Sequence, residues 1–188
     1  HQGVISVAQE HLVSGLITDT VRGFVRLLQP SGAARRVLLA CFEHEEHVIG
    51  MYGVAMRLAA WGVRVIELGA RTPPAALGDA IEKVRPDAVG LSITVTPAPV
   101  ERARPLVEAY AAACGKTPWF VGGAAVRSIA PFVTAHGATT IDEEIDDPDA
   151  LGDELAERRR QRHGEDGQPG LPPPAIELPM SRGHWRAE

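Results

Sequence analysis

Cysteine is nearly absent from the 188-residue chain, which holds only Cys41 and Cys114. Cys41 lies in an apolar run and Cys114 near the end of an alanine-rich segment. The pair therefore reads as reduced, packed side chains of a cytoplasmic protein and not as a disulfide framework. An excess of positive charge is missing too. Nineteen Lys and Arg against 24 Asp and Glu give a net charge of −5, which argues against a free-standing nucleic-acid binder with a basic face. No apolar run approaches the roughly 18 residues of a membrane span. No basic segment followed by an apolar one opens the chain in the manner of a secretory signal. What is present is an ordinary globular composition, 45% hydrophobic and 23% charged, with length for one domain and extensions.

The middle of the chain alternates strand and helix patterns. Apolar runs rich in strand formers occupy Arg36 to Phe42, Val63 to Leu68, Asp87 to Ile93, Pro118 to Val121 and Ala138 to Ile141. Between them, helical spacing covers His47 to Ala60, Ala75 to Val84, about Val100 to Ala113, and Ala125 to His136. A last helix is expected from Leu151 to about Arg162, after an acidic stretch from Asp142 to Asp149. Five strands separated by helices imply an α/β, flavodoxin-like (Rossmann-like) fold with a five-stranded parallel sheet in the order 2-1-3-4-5. Its crossovers should be right-handed. Residues 34-163 form this unit. Ahead of it, residues 1-30 read as an amphipathic helix whose apolar stripe (Val7, Leu12, Leu16, Val21, Phe24, Val25, Leu28) must pack on something. Behind it, residues 164-188 hold five prolines and read as an extended tail, with Trp185 unplaced.

In such sheets a ligand sits beyond the carboxyl ends of the strands. The loop after the first strand reads Glu43-His44-Glu45-Glu46-His47-Val48-Ile49-Gly50. Two histidines and three carboxylates within five residues admit three readings. One is a solvated acidic first turn favoured by the helix dipole. Another is a zinc or iron site, although no further ligand cluster stands nearby. The third is a single histidine ligand to a cofactor metal, oriented through its other nitrogen by a carboxylate.

Glu45-x-His47-x-x-Gly50 resembles the Asp/Glu-x-His-x-x-Gly signature of base-off, His-on cobalamin-binding domains. The family's Ser-x-Leu element, at the end of the third strand, appears as Ser92-Ile93-Thr94, with the serine matched and the leucine not. Its Gly-Gly after the fourth strand appears as Gly122-Gly123. The resemblance implies that His47 is the lower axial ligand to cobalt, with Glu45 on its other ring nitrogen. It implies that the displaced nucleotide tail of the cofactor runs down a channel beside the sheet. There Gly50, Gly122 and Gly123 would permit close approach, Ser92 and Thr94 would offer hydrogen bonds, and Gly69 would close the second strand beside the same channel. His44 would face solvent.

The segment Val7-Ala8-Gln9-Glu10-His11 is similar to the Val-Ala-x-Glu-His segment of light-sensing, cobalamin-dependent regulators of the CarH type. In that family it belongs to a helical bundle over the upper face of the corrin, which implies that Glu10 and His11 approach the upper axial position of adenosylcobalamin. His11 would then be the candidate upper ligand after photolysis. A tryptophan that family members place in this cap ahead of the pair has no counterpart here. The rest of the bundle and the family's DNA-binding helix-turn-helix would precede His1, so the chain is either a fragment or a stand-alone sensor. The leading expectation is thus a cobalamin-binding sensory module that is not an enzyme. It would act through a protein partner or a homo-oligomer, and touch DNA only through another domain or partner. One alternative is a corrinoid carrier subunit of a methyltransferase or mutase, although this chain holds no barrel and no acid-base pair of its own. Another is a pocket for haem or a bilin. The basic run Arg158, Arg159, Arg160 and Arg162 reads as a solvated helix end.

Overall fold

In a computed structural model of the chain, residues 6–31 and 35–141 are described. Five parallel strands form one sheet: β1 (Arg36–Cys41), β2 (Arg64–Gly69), β3 (Ala88–Ser92), β4 (Trp119–Gly122) and β5 (Thr139–Ile141). Helix α1 (Val7–Leu28) precedes them. Helices α2 (Ile49–Ala60), α3 (Pro74–Val84), α4 (Ala103–Cys114) and α5 (Val126–Ala135) connect them. The strand order is β2-β1-β3-β4-β5, the expected flavodoxin-like order. The expected helix after Leu151, the acidic and basic runs beside it and the proline-rich tail all lie outside the described residues.

Strands β1 and β3 read as continuous Val, Leu and Ala because both of their faces are covered. Alternate residues feed two cores. Leu38, Ala40 and Phe42 of β1 and its following residue join Val89, Leu91 and Val121 against α3, α4 and α5. Val37, Leu39 and Cys41 join Phe120 against α1 and α2. The chain turns back across the sheet after β2, so α2 alone of the connecting helices lies on its face. The loops after β1 and β3 therefore diverge, which opens the crevice of a topological switch point.

Helix α4 begins later than the spacing suggests. Val100–Arg102 form a 3₁₀ turn and the α-helix starts at Ala103. This start places Pro105 in the first turn, where its missing N–H has no intrahelical acceptor to lose. A helix from Val100 would have put the proline in its interior. Strand β2 holds a second irregularity. Leu39 pairs with Glu67 and Ala40 with Gly69, so Leu68 is an unpaired bulge residue. Gly69 has φ +89°, a conformation that glycine adopts without strain.

Helix α1 starts with a capping box: Ser6 Oγ accepts from the Gln9 backbone, and the Gln9 side chain accepts from Ser6 N. Only its second half packs. Val25 is buried, and Val21 lies against the α2 core. Arg22 sits 5.1 Å above the Tyr52 ring and donates through Nε to its hydroxyl at 3.0 Å. Gln29 bonds both backbone groups of Val65 at 3.1 Å, covering part of the edge strand β2. The first half carries its apolar stripe in the open, with Val7, Leu12 and Leu16 each at least 70% exposed. Of the apolar stripe only Val21 and Val25 pack on the α/β unit; Phe24 and Leu28 are exposed as well.

Candidate functional site

Glu45 is the centre of the loop after β1. It is 2% exposed, and its two carboxylate oxygens meet donors from two loops. Oε1 accepts from the backbone N–H of His47 at 2.7 Å and from His47 Nδ1 at 2.6 Å. Oε2 accepts from Thr94 N and Thr94 Oγ1, each at 2.5 Å, and from Val95 N at 3.2 Å. Burial pushes the carboxyl up, but the bonds from Thr94 and His47 outweigh it and hold Glu45 at about 2. Glu45 is therefore an anion that can only accept, so His47 Nδ1 carries a proton toward it, and the lone pair of the neutral ring is on Nε2. The His47 side chain is 70% exposed. Its backbone is pinned below, where Cys41 Sγ donates to His47 O at 3.7 Å. Burial, with the Glu45 charge second, pushes that thiol up to about 12, so Cys41 is a protonated packing residue as its sequence context suggested.

The loop after β2 braces the same structure. Arg71 N donates to Glu45 O at 3.0 Å and Thr72 N to Cys41 O at 3.2 Å. The Arg71 guanidinium pairs with Glu46. His44 is exposed against Glu43, in keeping with a solvent-facing place.

A cavity of about 510 Å³ runs down between α2 and the sheet, within the ordinary size range of ligand pockets; His47 is not one of its lining residues, but Thr94, which bonds Glu45, is. Gly50, Ser92, Thr94, Gly122 and Gly123 stand among its lining residues toward the carboxyl ends of the strands; Leu58, Trp61, Gly90 and Phe120 lie deeper. On the helix wall, a Cβ built on Gly50 or Gly53 would meet nothing within 4 Å. These two glycines leave open a space that ordinary side chains would fill. Among the described residues Ser92 Oγ has no protein hydrogen bond, so it is available to a ligand.

Several expected site residues take other places. Thr94 lines the cavity, but its N–H and hydroxyl are committed to Glu45, so it holds the carboxylate that holds His47. Gly69 does not line the cavity. It lies at the β2 bulge, where its φ turns the chain into the loop that braces Glu45. Gly123 lines the cavity, yet its glycine is demanded by the backbone: φ is +109° and a Cβ would stand 2.3 Å from Ile93 O. Glu10 and His11 are exposed on the bare half of α1, paired with each other at 3.3 Å, and Ser14 donates to Glu10 at 2.7 Å. They are not in contact with His47. Arg22 meets the first turns of α2, and Gln29 meets the start of β2, so the amino-terminal half rises past the carboxyl edge of the sheet. His11 lies eleven residues before Arg22, roughly 16 Å further at 1.5 Å per residue.

The donor set discriminates among metals. No group of three or more His, Cys, Asp or Glu side chains among the described residues could hold an ion. One aligned histidine beside a long cavity fits a metal whose other ligands come with a cofactor, not an ion caged by the protein alone.

Comparison with known proteins agrees. Residues 35–148 match the family of B12 binding domains. The chain is 41% identical over 126 residues to the HTH-type transcriptional repressor CarH of Myxococcus xanthus, covering 67% of this chain and 42% of that protein. It is 40% identical over 134 residues to the HTH-type transcriptional repressor CarA of the same organism, covering 71% and 46%. The chain thus spans less than half the length of the curated relatives it matches. The methanol:cobalamin methyltransferase complex MtaBC of Methanosarcina barkeri shares the fold, with a TM-score of 0.54 at 21% identity over 86% of this chain and 65% of that one.

Proposed function

The chain belongs to the B12-binding domain family, and from that premise we propose that it is the adenosylcobalamin-binding light-sensing module of a transcription regulator, without catalysis of its own. The observation that carries this reading is the His47–Glu45–Thr94 chain at the mouth of a glycine-walled cavity. Nε2 of His47 would hold the cobalt of the cofactor. Glu45 holds Nδ1–H, which fixes the ring and raises its donor strength. Gly50 and Gly53 leave room for the nucleotide tail, and Ser92 bonds it; Gly122 and Gly123 line the same passage. When bound, adenosylcobalamin supplies a cobalt–carbon bond that light can break. Residues 1–30 would form part of a cap over the bound cofactor, with Glu10 and His11 on its near side and His11 the residue that would hold the cobalt after illumination. A change in cap packing then shifts the assembly of a homo-oligomer or a partner complex. DNA contact belongs to another domain or partner, and the setting is cytoplasmic.

The test is an absorption spectrum of the chain with adenosylcobalamin, in the dark and after green light, for wild type, His47→Ala and His11→Ala. Wild type should bind and shift to the base-off, histidine-ligated form. His47→Ala should lose that form, and His11→Ala should alter only the spectrum after illumination. Wild-type affinity and an unchanged spectrum in His47→Ala would defeat the axial assignment. An unchanged illuminated spectrum in His11→Ala would remove that residue's role.

A further inference from the structure

Tyr110 lies on α4, on the opposite face of the sheet from the cavity, and is fully buried. Its ring packs on Phe42 with centroids 4.6 Å apart, within a core of Leu, Val and Ala side chains that asks for no hydroxyl. The hydroxyl instead serves two backbone groups of two different loops. It accepts from Glu43 N at 2.8 Å and donates to Thr72 O at 2.6 Å. One donor and one acceptor are all that a phenol proton and a lone pair need here. Burial pushes the phenol above its ordinary value, so the proton stays available for Thr72.

These two loops are the ones that hold Glu45. Glu43 is two residues before it, and Glu45 N bonds back to Phe42 O at 2.9 Å. Arg71, beside Thr72, donates its N–H to Glu45 O. A continuous series of bonds therefore runs from Tyr110 through both loops to Glu45 and on to His47 Nδ1. We propose that Tyr110 is a positioning residue for the cobalt ligand, clamping from behind the sheet the two loops that orient Glu45 and His47. The proposal rests on the cobalamin reading and adds to it a residue that touches neither cofactor nor cavity.

Tyr110→Phe is the test, because it removes one oxygen and keeps the ring. It leaves Glu43 N–H and Thr72 C=O without their partner, while a phenyl ring fills the same space. Val133→Ala is the control. It opens a hole in the same far-face core, on α5, away from both loops. Both variants of the full 188-residue chain are melted without cofactor and titrated with adenosylcobalamin in the dark. Loss of a partner behind a metal ligand weakens binding about 10-fold or more, and that loss is expected for Tyr110→Phe. At saturation its bound cofactor should also show a mixed spectrum, part of it lacking the histidine-ligated form. Amide exchange at Glu43 and Arg71 should rise. Val133→Ala should melt lower yet keep wild-type affinity and spectrum. The proposal fails if Tyr110→Phe binds with wild-type affinity and spectrum, or loses no more than Val133→Ala does at equal loss of thermal stability. If wild type itself does not bind, the cobalamin reading falls along with it; a binding wild type beside an unaffected Tyr110→Phe removes Tyr110 alone.

Discussion

A buried carboxylate is tolerated only where donors replace its lost water, and Glu45 has five within hydrogen-bond reach on two oxygens. That arrangement has a pH signature. The folded-state value of about 2 lies below the 4.5 of an ordinary glutamate, so the unfolded chain takes up the proton first as pH falls. The contribution of Glu45 to stability is then complete above pH 4.5 and is lost on the way down to about pH 2. Melting curves of wild type and Glu45→Gln should differ most at neutral pH, with the variant lower by about 1–3 kcal/mol for its mismatched donors, and converge toward pH 2. A gap that stays constant across that window would mean that Glu45 is not held as an anion. The Glu45–His47 pair was legible in the sequence because two residues of separation put both side chains on one loop whatever the fold does. Thr94 was legible as a site residue but not in its role. It reaches Glu45 across 49 positions, and only the pairing of β1 with β3 brings the two loops together. Tyr110 was not legible at all. Its partner Glu43 lies 67 positions away, and on an alanine-rich helix a tyrosine looks like core.

Helix α2 makes one wall of the cavity, and its glycines have opposite consequences for folding and for binding. Glycine in a helix interior costs about 1 kcal/mol relative to a good helix former. Gly53 keeps that cost although a Cβ there would meet nothing within 4 Å. Gly53→Leu should therefore melt at or above the wild-type temperature while filling the channel. Titrations with cobalamin and with cobinamide, a corrinoid without the nucleotide tail, separate the two effects. Cobalamin affinity should fall tenfold or more and cobinamide affinity should hold. Equal affinity for cobalamin in the variant would place the tail elsewhere. At this scale the strand order and the four helices that connect the strands were readable, because continuous apolar runs alternating with 3.6-residue spacing admit few other packings. The bulge at Leu68–Gly69 was not, since a bulge is defined by its partner strand. The late start of α4 had a signal in Pro105 that the apolar spacing outweighed.

The whole molecule is unevenly finished. One end of α1 is bound to α2 and β2 through Val25, Arg22 and Gln29, whereas the other exposes Leu12 at 74% and Leu16 at 70%. Covering such side chains is worth about 1.5–3 kcal/mol each, so under the proposed function the bare stripe is the surface that a second chain would cover. The second half of α1 packs beside the helix that follows His47, so under the proposed function a change at the cobalt site would reach the stripe through this helix. Size-exclusion chromatography with adenosylcobalamin, in the dark and after green light, should therefore show two elution positions. Leu12→Glu with Leu16→Glu should melt as wild type does, since neither leucine touches the core, and should elute at one position in both conditions. Its dark affinity for the cofactor should stay within a few fold, because His47 and the cavity are untouched. A wild-type elution that ignores light while the spectrum responds would separate photochemistry from assembly, and the bare stripe would then belong to a permanent partner and not to a switch.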